Sequence, residues 1–272
     1  MRTTAELEDI ARSLRQDIIE MCYLAKGPAH PGPALSCADI VATLYFDIMN
    51  VDPVHPDAPD RDRLILSKGH AAPVLYAALC QAGFFPKDWY AGLRGLHGHL
   101  QGHPAFRKIP GVDSTSGSLG NGLSIAAGMA LDLKLKKRKS SVFCIMGDGE
   151  LQEGLIWEAA LYAGAAGLNG LIGIVDNNGF QSCGATNTIL PLGDIAAKFT
   201  AFGWHAIETD GHDIKALRSA LRTAKNNADT PSVIIANTIK GKGVSFMENN
   251  NAWHQHNLTE EQYAAAMAEL TA

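Results

Sequence analysis

No run of apolar residues in this chain approaches the roughly 20 that a membrane span needs. An excess of either charge is also missing: 23 Lys and Arg stand against 28 Asp and Glu, a net of −5. No nucleic-acid-binding surface is implied, so any anionic ligand must be held at a local site. Cysteine is sparse, with Cys22, Cys37, Cys80, Cys144 and Cys183 widely spaced and no C-x-x-C pair among them. That excludes a disulfide framework or a zinc ribbon and suits a reducing compartment. The N-terminus through Asp9 is polar and acidic, unlike a secretory signal, so a cytoplasmic chain is expected. What is present is 272 residues with 46% hydrophobic content, enough to bury the core of one large domain.

Thr3-x-x-Glu6 reads as a capping box before Leu7, Ile10, Leu14 and Ile18, an amphipathic helix. Ser36-x-x-Asp39 is expected to open a second helix that runs through Ile48 and ends before Asp52-Pro53. A short strand, Leu64 to Leu66, and a helix from Pro73 to Gln81 follow. Residues 86–113 hold many Gly, His and Pro and read as an irregular functional loop region. Beyond them, helices at 119–137, 155–166, 194–202 and 214–225 alternate with strands at 142–146, 171–175, 205–207 and 233–236. Thr259-x-x-Gln262 caps a last helix. This alternation predicts an α/β fold in one domain over residues 1–272: a doubly wound, mainly parallel sheet with helices on both faces.

Open α/β sheets bind ligands beyond the carboxyl ends of their strands. Two such ends carry Gly147-Asp148-Gly149-Glu150 and Asp176-Asn177-Asn178-Gly179. A carboxylate at Asp148 and an amide carbonyl at Asn178 are hard oxygen ligands suited to Mg²⁺, which usually completes its shell with water and ligand phosphates. The ion would let a negative chain bind a diphosphate. A nucleotide-binding Rossmann turn is disfavoured, because Gly117-x-x-Gly120-x-Gly122 has the wrong spacing for G-x-G-x-x-G. The basic run Lys134 to Lys139 lies at a helix C-terminus, where cations complement the dipole, and no aromatic residue interleaves with it.

The G-D-G and N-N pair matches the thiamine-diphosphate motif, and across nearly its whole length the chain resembles the N-terminal part of transketolase. Gly147 to Gly154 resembles the family's G-D-G-x-x-x-E-G segment, which implies cofactor contact at Gly147, Asp148, Gly149, Glu150 and Glu153. It also implies a metal (Mg²⁺, or Ca²⁺ or Mn²⁺) held by Asp148, Asn178 and the carbonyl of Phe180. Glu153 and Glu158 are similar to acidic residues that face a twin active site. Ser116 to Gly122 resembles T-G-P-L-G-Q-G, with Ser118 and Leu119 placed against the cofactor; Ser118 stands where Pro is usual and Asn121 where Gln is usual.

Ten histidines are many, and four fit the resemblance: His30 in Ala29-His30-Pro31-Gly32, His70 in Ser67-Lys68-Gly69-His70, His103 in Gly102-His103-Pro104, and His254 after Trp253. The resemblance implies that these four contact substrate hydroxyls and move protons, with His70 and His254 also beside the cofactor. Neutral imidazole can donate to one oxygen and accept from another. His212, in Asp210-Gly211-His212-Asp213, also matches the family but is left out of the catalytic set. A zinc cluster at His97-x-His99-x-x-x-His103 is disfavoured, since no carboxylate motif completes it.

The resemblance implies transfer of a two-carbon glycolaldehyde unit from an acidic ketose, phosphorylated or sulfonated, to an aldose. In the family the catalytic glutamate and the acid-head pocket come from a pyrimidine-binding domain, for which no second α/β unit is seen. The expectation is a heterotetramer formed with a separate pyrimidine-domain subunit. The alternatives are a subunit of a 2-oxo acid dehydrogenase or xylulose phosphate synthase type of enzyme, or a noncatalytic cofactor-binding or regulatory subunit.

Overall fold

A computed structural model describes residues 2–271 of the chain. The strands are β1 (Arg63–Leu66), β2 (Val142–Gly147), β3 (Leu171–Asn177), β4 (Phe180–Gln181), β5 (Gly184–Ala185), β6 (His205–Asp210) and β7 (Ser232–Asn237). Five of them form one parallel sheet in the order β1-β2-β3-β7-β6, while β4 and β5 make a two-residue antiparallel hairpin. The helices are α1 (Thr4–Leu24), α2 (Pro31–Leu35), α3 (Ala38–Thr43), α4 (Ala72–Gln81) and α5 (Asn121–Leu135). After them come α6 (Gly154–Ala165), α7 (Thr186–Ile189), α8 (Ile195–Ala201), α9 (Ile214–Asn226) and α10 (Glu260–Thr271).

Strand side chains alternate between faces, and both faces are apolar, as a fully covered parallel sheet requires. Leu64, Leu66, Phe143, Ile145, Ile172, Ile174 and Ile234 share one buried cluster with α1, α3, α4 and α9. Ile65, Val142, Cys144, Met146, Leu171, Val175, Val233 and Ile235 share the other with α5, α6 and α8. The doubly wound expectation is met. Adjacent parallel strands β1, β2, β3 and β7 then deliver Ser67, Gly147, Asn177 and Asn237 to one carboxyl edge.

Local chemistry explains where the expected elements start. The Thr3–Glu6 box forms in both directions, with Glu6 N–H donating to Thr3 Oγ1 at 3.2 Å and Thr3 N–H to Glu6 Oε2 at 2.6 Å. Thr259 and Gln262 cap α10 reciprocally in the same way. The second helix runs through Ile48 as expected, α3 continuing as a π-helical turn at Leu44–Ile48, but the Ser36–Asp39 start signal fails. A separate short helix, α2, precedes α3 and ends on Ser36 as its C-cap, Cys37 stands at the N-cap of α3, and neither the Ser36 nor the Asp39 side chain caps the start of α3. Their side chains go to distant partners instead: Ser36 Oγ donates to Asp176 Oδ2, and Asp39 accepts from Arg15 and His212. Within 86–113 a 3-10 helix forms at Lys87–Gly92, and the rest is turns and loops. Helix α5 starts two residues later than expected, after Gly120 in the left-handed region (φ +83°), and follows a loop rather than a strand.

The basic run stays structural. Lys134 Nζ donates to the carbonyls of Ala166 (2.7 Å) and Gly167 (2.9 Å), closing the end of α6. A cleft of about 860 Å³ at the far end of the sheet is lined by Lys136 to Lys139 and Lys225. Its cations are drawn off by Asp132, Asp60 and Asp62, which pair with Lys136, Arg138 and Lys225. No helix among the described residues is long and apolar enough to cross a membrane.

Candidate active site

A cavity of about 300 Å³ opens at the carboxyl edge between the turns after β2 and β3. Asp148 follows β2 and is buried, and Thr186 Oγ1 donates to its Oδ2 at 2.7 Å. Burial pushes its carboxyl above the usual range, and no Lys or Arg pairs with it among the described residues. Asn178, after β3, is also buried; its Oδ1 accepts the Phe180 N–H at 3.0 Å, which folds the turn back and brings Phe180 to the same cavity. Gly149 is needed for close approach, since a Cβ there would sit 2.7 Å from the Gln181 Cβ.

Behind these groups lies a charge pair that the motifs alone do not reveal. Lys68 and Asp176 are both buried and joined, and Lys68 Nζ also donates to the Pro33 carbonyl at 2.8 Å. Burial opposes both charges, yet Lys68 holds the Asp176 carboxyl below the ordinary range and Asp176 raises the Lys68 ammonium. Asp176 accepts further bonds from Ser36, Thr238 Oγ1 (2.5 Å) and Asn178 Nδ2 (3.0 Å), so one carboxylate aligns four segments. Glu150 likewise ties segments together, accepting from Ser67 Oγ, the Gly120 N–H (2.9 Å) and the Gly147 N–H (3.1 Å).

Three imidazoles, His30, His70 and His254, form the cavity's other wall, with His103 behind His30. The ring of His30 lies 5.4 Å from His70, 6.1 Å from His103 and 5.6 Å from His254, and His70 lies 5.1 Å from His254. These residues come from the loop before α2, the turn after β1, the 86–113 region and the segment before α10. A backbone bridge between Ala29 and His256 ties the first of these segments to the last. Burial lowers the imidazoles: His30 to about 4, with Arg94 adding to the effect, and His254 to about 3, with Lys240 adding. His70 and His103 are lowered for the same reason. All four are therefore neutral near pH 7. His30 Nδ1 and Gln181 Oε1, both on the lining, are buried without a hydrogen-bond partner among the described residues, polar atoms left over for a ligand.

A family model described as the thiamine diphosphate binding domain of transketolase matches residues 4–271. The chain belongs to the transketolase family. It is 46% identical over 244 residues to the 6-deoxy-6-sulfo-D-fructose transketolase subunit of Clostridium sp. strain MSTE9, covering 90% of this chain and 89% of that one. It is 37% identical over 257 residues to an apulose-4-phosphate transketolase subunit of Phocaeicola vulgatus, covering 94% and 91%. The solved transketolase of Leishmania mexicana superposes with a TM-score of 0.89 at 31% identity over 100% of this chain. The chain spans only 42% of that longer protein.

The transketolase cofactor fits the residues present. Thiamine diphosphate brings anionic oxygens and a ring system, and the cavity offers uncompensated oxygen ligands for a cation beside close-approach glycines. Of the expected residues, His30, His70, His254, Leu119, Gly147, Asp148, Gly149, Glu150, Glu153, Asn178 and Phe180 line the cavity. His103 stands behind His30, and Ser118 is exposed outside the lining. Glu153 and Glu158 are both exposed. His97 is exposed and His99 stacks on Trp89 at 4.1 Å, so the imidazoles of the zinc alternative do not converge.

Lys68, Asp176, Gln181 and Lys240 are the site residues that sequence reasoning missed. Lys240 is buried, and its Nζ reaches the Gln181 carbonyl (3.2 Å), Asn251 Oδ1 (2.8 Å) and His254 Nδ1 (3.0 Å). Burial, with Lys68 nearby, lowers its ammonium to about 8. The one signal in the sequence was position: Lys68 follows β1 and Lys240 follows β7, both at the carboxyl edge.

Proposed function

We propose that this chain is the thiamine-diphosphate-binding subunit of a two-chain transketolase that moves a glycolaldehyde unit from an acidic ketose to an aldose. The observation that carries the reading is the meeting, around one cavity, of the buried Asp148–Asn178 pair with a wall of neutral histidines. Asp148 and Asn178 side-chain oxygens and the Phe180 carbonyl would hold Mg²⁺, with Ca²⁺ or Mn²⁺ as substitutes. Gly147, Gly149, Glu150, Leu119, Ser118, Glu153, His70 and His254 would shape the rest of the cofactor's seat. Thiamine diphosphate, when bound, supplies the carbon nucleophile and electron sink for carbon–carbon cleavage.

The protein's share is binding and proton management. His30, His70, His103 and His254 can each donate to one substrate oxygen and accept from another, and their depressed basicity keeps that dual capacity available near neutral pH. Glu150 and the Lys68–Asp176 pair hold the turns in register. The subunit reading is supported by coverage: relatives named as subunits match over about nine-tenths of their length. Leu155, Leu161 and Tyr162 stand exposed on α6 near Glu158, which supports a face covered in a cytoplasmic heterotetramer with a pyrimidine-domain chain. The higher identity to a sulfosugar enzyme subunit makes a sulfonated ketose the first substrate to test, ahead of a phosphorylated one.

Cofactor titration tests the site without turnover. Asp148→Ala should weaken Mg²⁺-dependent thiamine diphosphate binding by more than the roughly 10- to 100-fold that losing an outer-shell partner costs, read by intrinsic Trp fluorescence. Unchanged affinity would refute this placement of the metal.

A further inference from the structure

The Asp210-Gly211-His212-Asp213 turn lies outside the cavity, yet each of its residues has a fixed role. Asp210 Oδ1 accepts the His212 N–H at 2.8 Å, and Asp213 caps α9 through the N–H groups of Lys215 (2.8 Å) and Ala216 (3.0 Å). Gly211 admits no side chain, because a Cβ there would lie 2.3 Å from Thr238 Cγ2. His212 bridges two elements. Its Nδ1 is 2.7 Å from Asp39 Oδ2, and its Nε2 accepts the Ile239 N–H at 2.8 Å. A carboxylate only accepts and a backbone N–H only donates, so both ring nitrogens are assigned: the proton is on Nδ1 and the lone pair on Nε2.

Asp39 is gripped by the Arg15 guanidinium through both its oxygens, and Arg15 Nε donates to the Lys242 carbonyl at 3.1 Å. One buried network therefore holds the segment after β7 at two points, the Ile239 N–H through His212 and the Lys242 carbonyl through Arg15. Lys240 sits between them. Its ammonium has three protons and three acceptors: Gln181 O, Asn251 Oδ1 and His254 Nδ1. Because the ammonium only donates, His254 Nδ1 accepts, and the His254 proton is left on Nε2.

We infer that His212 is a positioning residue: by clamping the Ile239 backbone it fixes Lys240, and through Lys240 it selects the tautomer of His254. The inference rests on the proposed role of His254 at the substrate, but the tautomer itself is measurable without cofactor or partner. Lys240 directly follows the clamped Ile239 and its side chain is fully buried, which is the route by which the clamp reaches His254. His212 thus acts from outside the cavity, two residues in sequence beyond the end of β6.

Two variants separate the clamp from a general stabilising role. His212→Asn keeps a donor for Asp39 and withdraws the acceptor from Ile239, whereas His212→Gln reaches the Nε2 position and offers its carbonyl to Ile239. Long-range ¹H–¹⁵N spectra of the full chain, with His254 assigned by substitution, should show a single Nε2–H tautomer in the unmodified protein. That signature should persist in His212→Gln and give way to mixed tautomers in His212→Asn. In the reconstituted complex, His212→Asn should lose about tenfold in kcat with KM for the ketose little changed, and His212→Gln should stay within about threefold. Equal effects of the two variants, or an unaltered His254 signature in His212→Asn, would overturn the inference. Should His212→Asn not fold, loss of the single tautomer in folded His212→Gln would overturn it, and its persistence would support it. Absence of transfer activity alongside an intact tautomer pattern counts against the proposed function and leaves the clamp standing.

Discussion

At the residue scale, the site is a set of buried polar groups whose charge states burial decides wherever no partner overrides it, as Lys68 and Asp176 do for each other. The four histidines are the clearest case, since each is pushed below its ordinary value of 6.5, His30 to about 4 and His254 to about 3. The unfolded chain takes up these protons as pH falls past about 6.5, while the folded chain refuses them to lower pH, at His30 until about 4 and at His254 until about 3. They cost nothing above about 6.5 and destabilise the fold progressively on acidification, His30 down to about 4 and His254 down to about 3. Urea midpoints should therefore fall between pH 7 and pH 4.5, and His30→Gln should flatten the decline. An identical slope in the variant would contradict the assignment. The sequence showed these histidines because Gly and Pro flank them in recognisable segments. It did not show Lys68 or Asp176 as partners, because they lie 108 positions apart and meet only when β1 and β3 flank β2.

At the scale of elements, legibility followed the range of the interaction. Both reciprocal caps, Thr3–Glu6 and Thr259–Gln262, were readable because their partners are three residues apart. Ser36 carries the same local signature without acting on it, since its hydroxyl is taken by Asp176, 140 positions away. The β4–β5 hairpin was missed because two-residue strands leave no alternation to read. Helix α5 shows how position decides the cost of one methyl group. A Cβ at Gly122 would lie 2.2 Å from Ser67 Oγ and 2.7 Å from Ser67 Cα, whereas one at Gly128 would meet nothing within 4 Å. Gly122→Ala should cost about 1–3 kcal/mol and loosen the end of β1, where Ser67 donates to Glu150. Gly128→Ala should stabilise by about 0.5–1 kcal/mol through helix propensity. Denaturant midpoints that move in the same direction for both would refute the packing described.

At the scale of the whole molecule, a doubly covered parallel sheet brings residues from four loops to one edge, where Asp148 faces the cavity and Lys68 and Asp176 pair behind it. The low net charge of −5 fits that design, because attraction for a diphosphate would come from a local cation and not from the surface. The exposed apolar side chains of α6 and the match to relatives named as subunits support the proposed assembly with a partner chain. The measurement that bears on this most directly is glycolaldehyde transfer with Mg²⁺ and thiamine diphosphate. It would be assayed with sulfonated and phosphorylated ketoses, using the chain alone and the chain mixed with a pyrimidine-domain transketolase subunit. The mixture should turn over and the chain alone should show negligible transfer; robust transfer by the chain alone, or none by a complex that forms and binds cofactor, would contradict the account.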